Sequence, residues 1–549
     1  MRRHPALRAL LAFLLLPGLM GAETYHVDLQ GDDAASGTTP ATAWKTVAKV
    51  NATALKPGDS VLFHRGGVWR EALVVPASGA AQMPITFAAY GDGAKPRFLG
   101  SDLVPATAFR ESGSGIYTAD VATAVNAVLR GTTFLFDAQG KPVAEVPESY
   151  AWSNGVLSVH TADDPRTGRQ AWSICVREDL IASNGKDHLV FRDLEVEDSA
   201  KAGGGYGVRI MGSRHVLLER IEVLRAGKHH FGCINSTDVI HRSCVAAYAM
   251  PRQGNGGASA WVSYGDRESG LADQTSEYHD CLFEHAEDSW STATGGNDRY
   301  FIFLTHGAPI ASVLLKNMIC RGGGWSVSNG DAPTARIRIE GGLLTDNRLA
   351  VDGSGIVIDG LRITGAAGTI DLMGRDHLVQ NVVMSGTNLG SAWFQTALLA
   401  RGPGMTVRFN TIVMADQAPD YNSCLALADG ADGLKCYGNV LWSTGKAIRV
   451  WNGAAERLAT CDFNAYRNEV RFGDETLADW RKHGHDAHAL TAADLRFTDA
   501  QHGDYSLTRA SPLIDRIELP DGPPTDTAGT KRPQGKRLDI GAFELPQKR

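Results

Sequence analysis

Gly185-Lys-Asp-His-Leu-Val-Phe-Arg-Asp-Leu-Glu-Val196, Gly212-Ser-Arg-His-Val-Leu-Leu-Glu-Arg-Ile-Glu-Val223 and Gly374-Arg-Asp-His-Leu-Val-Gln-Asn-Val-Val383 share one plan. Each has a turn, a short strand, one polar residue and a second short strand. Weaker copies begin at Val239, Ser276, Ser312, Ile337, Ile356, Thr406 and Leu434, about 20 to 40 residues apart. The strands are short and rich in β-branched residues, without a helical period. Self-similarity of this kind means a solenoid or a propeller. Propeller blades would need longer and more even repeats. A parallel β-helix tolerates loops inserted between its strands, so the expectation is an all-β, right-handed parallel β-helix.

Aligning the copies sharpens this. The residue between the two strands is Asp193, Arg220, Ser243, Asp280, Asn317, Gly360, Asn381, Asn410 and Asn439. Asn and Gly tolerate the left-handed backbone that a tight bend demands, and stacked Asn amides can bond along the column. The next column reads Leu194, Ile221, Cys244, Cys281, Met318, Leu361, Val382, Thr411 and Val440, a mostly apolar interior stack. Cys244 and Cys281 are then neighbours at sheet spacing, and are expected as buried free thiols because a disulfide there would be strained.

Composition agrees with a turn-rich globular chain. Of 549 residues, 61 are glycine, above the average share of roughly 7%, and no Gly-X-Y period accompanies them. A net charge of −7 argues against a nucleic-acid binder. Arg2, Arg3 and Arg8, then the apolar run Ala9–Leu16 and Gly21-Ala22, read as a signal peptide over residues 1–22, hence a secreted protein. The apolar run is shorter than the roughly 20 residues a membrane span needs, so no span is expected after cleavage. None of the eight cysteines forms a Cys-x-x-Cys pair. Nothing in the sequence specifies an oligomeric state.

Three segments carry a family resemblance. They are Tyr25-His-Val-Asp with Trp44-Lys-Thr-Val, Lys56-Pro-Gly-Asp-Ser-Val-Leu-Phe, and the ending Ser511-Pro-Leu-Ile-Asp through Asp539-Ile-Gly-Ala-Phe-Glu544. The chain resembles the right-handed parallel β-helix proteins of the pectate-lyase-like superfamily. That resemblance is specific for fold but not for activity, because the fold hosts polysaccharide lyases, glycoside hydrolases, epimerases and adhesins. The expected organisation is an N-terminal cap and first coils over 23–105, a small β insertion over 106–182, the main helix over 183–460, and C-terminal coils with a cap over 461–549. Leu477-Ala-Asp-Trp-Arg-Lys suits a short helix in that cap.

In this superfamily the groove beside the third sheet binds sugar chains, which makes a polysaccharide the expected partner. Tyr264, His306 and Asn329 end third strands on what the alignment makes consecutive coils. A Tyr, a His and an amide suit β-elimination from a uronate: the amide neutralises the carboxylate while His or Tyr moves protons. Lys228 and His230, with Arg252 in a following loop, form a second candidate, with lysine as base and arginine as carboxylate ligand. Trp261, Trp290 and Trp325 are candidates to stack on sugar rings. Glu284, Glu287, Asp288 and Asp298 cluster around a second long loop. Glu284, Glu287 and Asp298 could hold Ca²⁺. A pair drawn from Asp266, Glu287, Asp288 and Asp298 could instead hydrolyse a glycoside.

Glu284-His-Ala-Glu-Asp-Ser followed by Thr305-His-Gly is similar to the acidic Ca²⁺ site and Arg-His-Gly of alginate and dermatan lyases. Here Ser289-Trp-Ser-Thr-Ala-Thr holds no lysine where those enzymes place their base, and Thr305 replaces their arginine. The leading expectation is a lyase acting on an acidic polysaccharide. The alternatives are a glycoside hydrolase and a glycan-binding surface protein without catalysis.

Overall fold

The computed structural model describes residues 21–200, 205–248, 258–265, 274–284, 300–307, 310–321, 324–328, 336–387, 396–415, 422–451, 455–518 and 522–547. Among these residues, three sheets of 14 strands each run side by side, and successive turns of chain add one strand to each sheet. One coil shows the scheme. Arg214–Glu219 lies in the first sheet, Glu222–Leu224 in the second and His229–Ile234 in the third. Each pairs in parallel with its counterpart one coil on: Val216 with Val239, Val223 with Ala246, and Phe231 with Trp261. The protein is a right-handed parallel β-helix.

The residue between the first two strands makes the bend. Asp193, Arg220, Ser243, Asp280, Asn317 and Asn381 all have φ between 52° and 56°, and Gly360 has 75°. The following column is buried inside the solenoid from Leu194 through Val382. Each fully buried Leu, Ile or Phe contributes about 1.5–3 kcal/mol, so this stack is a principal source of cohesion. All eight cysteines are free and buried, Cys244 and Cys281 among them.

The last coils depart from the expected alignment. Phe409 and Gly438, not Asn410 and Asn439, take the left-handed backbone, with φ of 53° and 68°. This one-residue slip reverses which side chains face inward. Asn410, Asn439 and Asn464 turn into the solenoid. Val440 and Ala465 pack outward against Leu513, Ile517, Leu538 and Ile540 of the terminal segment. That segment supplies an apolar exterior that the alignment alone does not reveal.

Two smaller sheets interrupt the coils. One holds Ser101–Val104, Ala127–Arg130, Thr133–Phe134 and Trp172–Cys175; the other runs from Arg110–Gly113 to Val156–His160. They enclose their own core of Phe109, Tyr117, Leu157 and Trp172. Near the C-terminus, Leu477–Lys482 is helical, with the Thr476 hydroxyl accepting from the Asp479 N–H as an N-cap. Among the described residues no helix is long and apolar enough to cross a membrane.

Candidate active site

The outer face of the third sheet gathers the polar side chains. The ladder aligns Arg209 with Gly232 and Val262, and Met211 with Ile234 and Tyr264. These point away from the core, whereas Val208, Phe231 and Trp261 point into it. Tyr206 opens its strand on the outer side and stacks on His229 of the next coil, ring centroids 5.1 Å apart. His229 Nδ1 is 2.7 Å from Ser259 Oγ one coil further.

Tyr206 leans across Gly232. A Cβ at that position would sit 2.5 Å from the tyrosine ring, so only glycine lets the ring lie flat on the sheet. Asp179 holds the other side: its Oδ1 accepts from the Tyr206 N–H at 3.2 Å, and its Oδ2 lies 3.2 Å from Arg209 Nε. Arg209 also donates to Asn184 Oδ1. Burial raises the Tyr206 phenol above its ordinary range; the Asp179 charge adds to this, Arg209 offsets part, and Tyr264 adds further. Tyr206 therefore keeps its proton and suits donation, while Tyr264 stands near enough to sense it. The result is one tyrosine lying on a glycine floor, beside an arginine fixed by a carboxylate, with Tyr264 on the same face.

Tyr264 also pairs with His306, whose backbone is next in the ladder. Continuing from the Leu304–Ser326 pair puts Ser328, and not the expected Asn329, in the next position. A register shift between Phe301 and Phe303 displaces the alignment by one residue. Asn329 itself lies outside the described residues, as do Arg252, Asp266, Glu287, Asp288, Trp290 and Asp298.

Three expectations are corrected. Trp261 and Trp325 are fully buried core residues, 0% and 1% exposed, and cannot stack on a bound sugar. Trp261 lies 5.7 Å from Phe231 in a parallel stack inside the solenoid. His230 is also fully buried, and its Nε2–H donates to the Ala247 carbonyl at 2.9 Å, which braces a corner and leaves no route to substrate. Lys228 precedes the strand that Ile234 ends. At roughly 3.3 Å per residue it stands a strand's length from the Tyr264 row, so the two candidate constellations do not merge.

Glu284 is on the second sheet and pairs with Arg321 at 2.9 Å. Among the described residues no three His, Cys, Asp or Glu side chains could hold a metal ion. Of the three expected Ca²⁺ ligands, Glu284 alone lies among the described residues, and its carboxylate is tied to Arg321.

Sequence reasoning missed Tyr206 and a carboxyl pair. Tyr206-Gly-Val-Arg aligns with His229-His-Phe-Gly, so the aromatic column was visible in the repeats. Glu195 and Glu197 share one strand of the second sheet. Burial, the hydrogen bond to Glu197, and the Glu197 and Glu222 charges push the Glu195 carboxyl up to about 8. Burial acts on Glu197 too, but the Glu195 hydrogen bond and the charges of Arg225 and Arg97 outweigh it and lower its pKa. Arg97 lies 3.1 Å from Glu197, and Arg225 contacts both Glu197 and Asp198. This tethered pair clamps the first coils to the main helix.

No family model matches the chain. It is 43% identical over 74 residues to a lacto-N-biosidase of Bifidobacterium longum subsp. longum, a match spanning 13% of this chain and 5% of that protein. Among solved structures, a complex of XylC with xylose covers 96% of this chain and 99% of its own, with a TM-score of 0.54 and 12% identity. A mannuronic acid specific family 6 polysaccharide lyase from human gut microbiota covers 86% and 92%, with a TM-score of 0.47 and 10% identity. The likeness to XylC is one of fold.

Proposed function

We propose that this protein is a carbohydrate-active enzyme that cleaves a uronate-containing polysaccharide by β-elimination on the outer face of its third sheet. The observation that carries this reading is Tyr206 lying over Gly232 beside Arg209, with Tyr264 on the same outer face of the sheet. Arg209 would face the uronate carboxylate and ease loss of the C5 proton. Tyr264, with His306 as its neighbour in the ladder, would take that proton. The C5–H electrons form the C4–C5 double bond, the C4–O bond breaks, and Tyr206 protonates the departing oxygen. Burial of Tyr206 supports the donor role, because a phenol held protonated is a poor base. The basic, apolar and small-residue order at the N-terminus supports export.

A panel of polyuronates and neutral glycans tests the reading. Ultraviolet absorbance of an unsaturated product on a polyuronate is the expected result. Tyr206→Phe and Tyr264→Phe should each lower kcat by roughly 10²–10⁴-fold with the fold intact by circular dichroism. New reducing ends without that absorbance would replace elimination with hydrolysis. Hydrolysis of a neutral glycan is the second reading, supported by the 74-residue likeness to a lacto-N-biosidase.

A further inference from the structure

Further along the same face a second charged group stands apart from the tyrosines. Asp371, 4% exposed, lies in the third sheet between Ala350 and Leu399 of the neighbouring coils. Arg348 Nη2 donates to its Oδ2, and Arg401 Nε donates to its Oδ1 at 2.7 Å. The two arginines come from the coils on either side of Asp371. Their exposure differs from that of the acid: the Arg348 side chain is 58% exposed and that of Arg401 30%. One buried carboxylate therefore fixes two guanidinium groups that still face solvent. Exposed ion pairs add little stability, whereas a guanidinium held in place is well suited to bind an oxyanion in two-pronged fashion.

We infer that Arg348 and Arg401, positioned by Asp371, form a distal subsite for an acidic sugar of the polymer. This rests on the proposed polyuronate activity and extends it along the groove. In the order of the third sheet, the strand of Arg348 is three places beyond that of Tyr264, and the strand of Asp371 is four. At about 4.8 Å per strand the subsite lies about 14–19 Å from Tyr264. One coil is close to the length of one sugar unit in an extended chain, so a polymer on this face reaches the arginines three or four units from the bond that breaks. Ser326 and Ala350 precede Asp371 in its row and give the floor short side chains. The group recognised is an anion on a sugar ring, a carboxylate or a sulfate ester.

The test compares the wild-type protein with R348A, R401A and R348K on a polyuronate, on its trimer, on dextran sulfate and on a neutral glucan. Titration calorimetry reads affinity, and kinetics read KM and kcat. R348A is expected to weaken polyuronate binding by roughly 10-fold, the scale of a lost hydrogen bond to a charged group. The loss should appear in KM on the polymer and be much smaller on the trimer, and R348K should fall between. Equal losses on polymer and trimer, or none, would overturn the subsite while leaving a lyase in place. Binding of dextran sulfate alone, weakened in R348A, would keep the subsite and overturn the uronate reading. Failure to bind either polyanion would overturn both.

Discussion

Two stretches of one solenoid handle buried polar groups in opposite ways. In the C-terminal coils, Asn410, Asn439 and Asn464 form a ladder along the axis. Asn439 Oδ1 accepts from the Asn410 N–H and Nδ2, and Asn464 Oδ1 accepts from the same groups of Asn439, all at 3.0 Å. Asp486 ends the ladder. It accepts from Asn464 Nδ2, the Tyr466 hydroxyl, the Trp480 indole and the Cys461 thiol. In the middle coils, beneath the tyrosine site, His241 is fully buried and, among the described residues, neither ring nitrogen has a partner of normal geometry. Trp261 Nε1 and Gln274 Oε1 in the same region also lack partners. Identical strand geometry therefore does not guarantee satisfied interiors. What decides is whether the next coil repeats the same polar group in register. The repeated Asn column of the C-terminal coils is satisfied in this way, whereas the side chains of Asn422 and Ser423 in those same coils, outside the column, have no partner among the described residues.

The largest effect should come from breaking the ladder. Asn439→Leu removes acceptors from Asn410 and donors to Asn464 and to the Val407 carbonyl. Each orphaned group costs about 1–3 kcal/mol, so a loss of about 3–5 kcal/mol is expected in denaturant unfolding. A loss below about 1 kcal/mol would mean that the coils are not held by the ladder.

Glu195 gives a pH signature on the N-terminal side. Its folded pKa, about 8, lies above its ordinary value. The associated stability is fully present below the ordinary value of 4.5 and is lost as pH rises from there through about 8. The melting temperature should fall across this window, and Glu195→Gln should flatten the fall. An unchanged profile in that variant would place the alkaline sensitivity elsewhere.

The smallest change sharpens the comparison from the other side. His241 stacks on Tyr278 with centroids 4.5 Å apart and meets Phe231 edge-on. Burial lowers its pKa to about 3, although the Glu277 backbone favours the charged form slightly. The unfolded chain takes up a proton below its ordinary value of 6.5 and the folded chain does not, so wild-type stability falls as pH drops from there toward 3. His241→Phe keeps the aromatic contacts and removes two unpartnered nitrogens. It should raise stability by about 1 kcal/mol at neutral pH and reduce the acid loss. Destabilisation by this variant would show that the imidazole has a partner.

Much of the fold was legible because alternation and turn chemistry act locally. The columns from Asp193 to Asn381 and from Leu194 to Val382 follow from which residues accept a left-handed bend and which exclude water. The site was only partly legible. Tyr264 beside His306 emerged from strand-end alignment, but Trp261 and Trp325 were assigned to the wrong face. Ala258-Ser-Ala-Trp-Val-Ser has no clean alternation of polar and apolar residues, so its sequence does not say which set faces inward.

The sequence by itself determined the solenoid, its strand order, its bends as far as Asn381 and its stacked free thiols. These depend on residues close in the chain or at the repeat spacing. The tertiary structure decided the rest. It turned Asn410 and Asn439 inward because a distant terminal segment covers the outside of their coils. It brought Tyr206 over Gly232, and Arg348 and Arg401 onto Asp371, because those contacts cross coils whose register no single strand encodes.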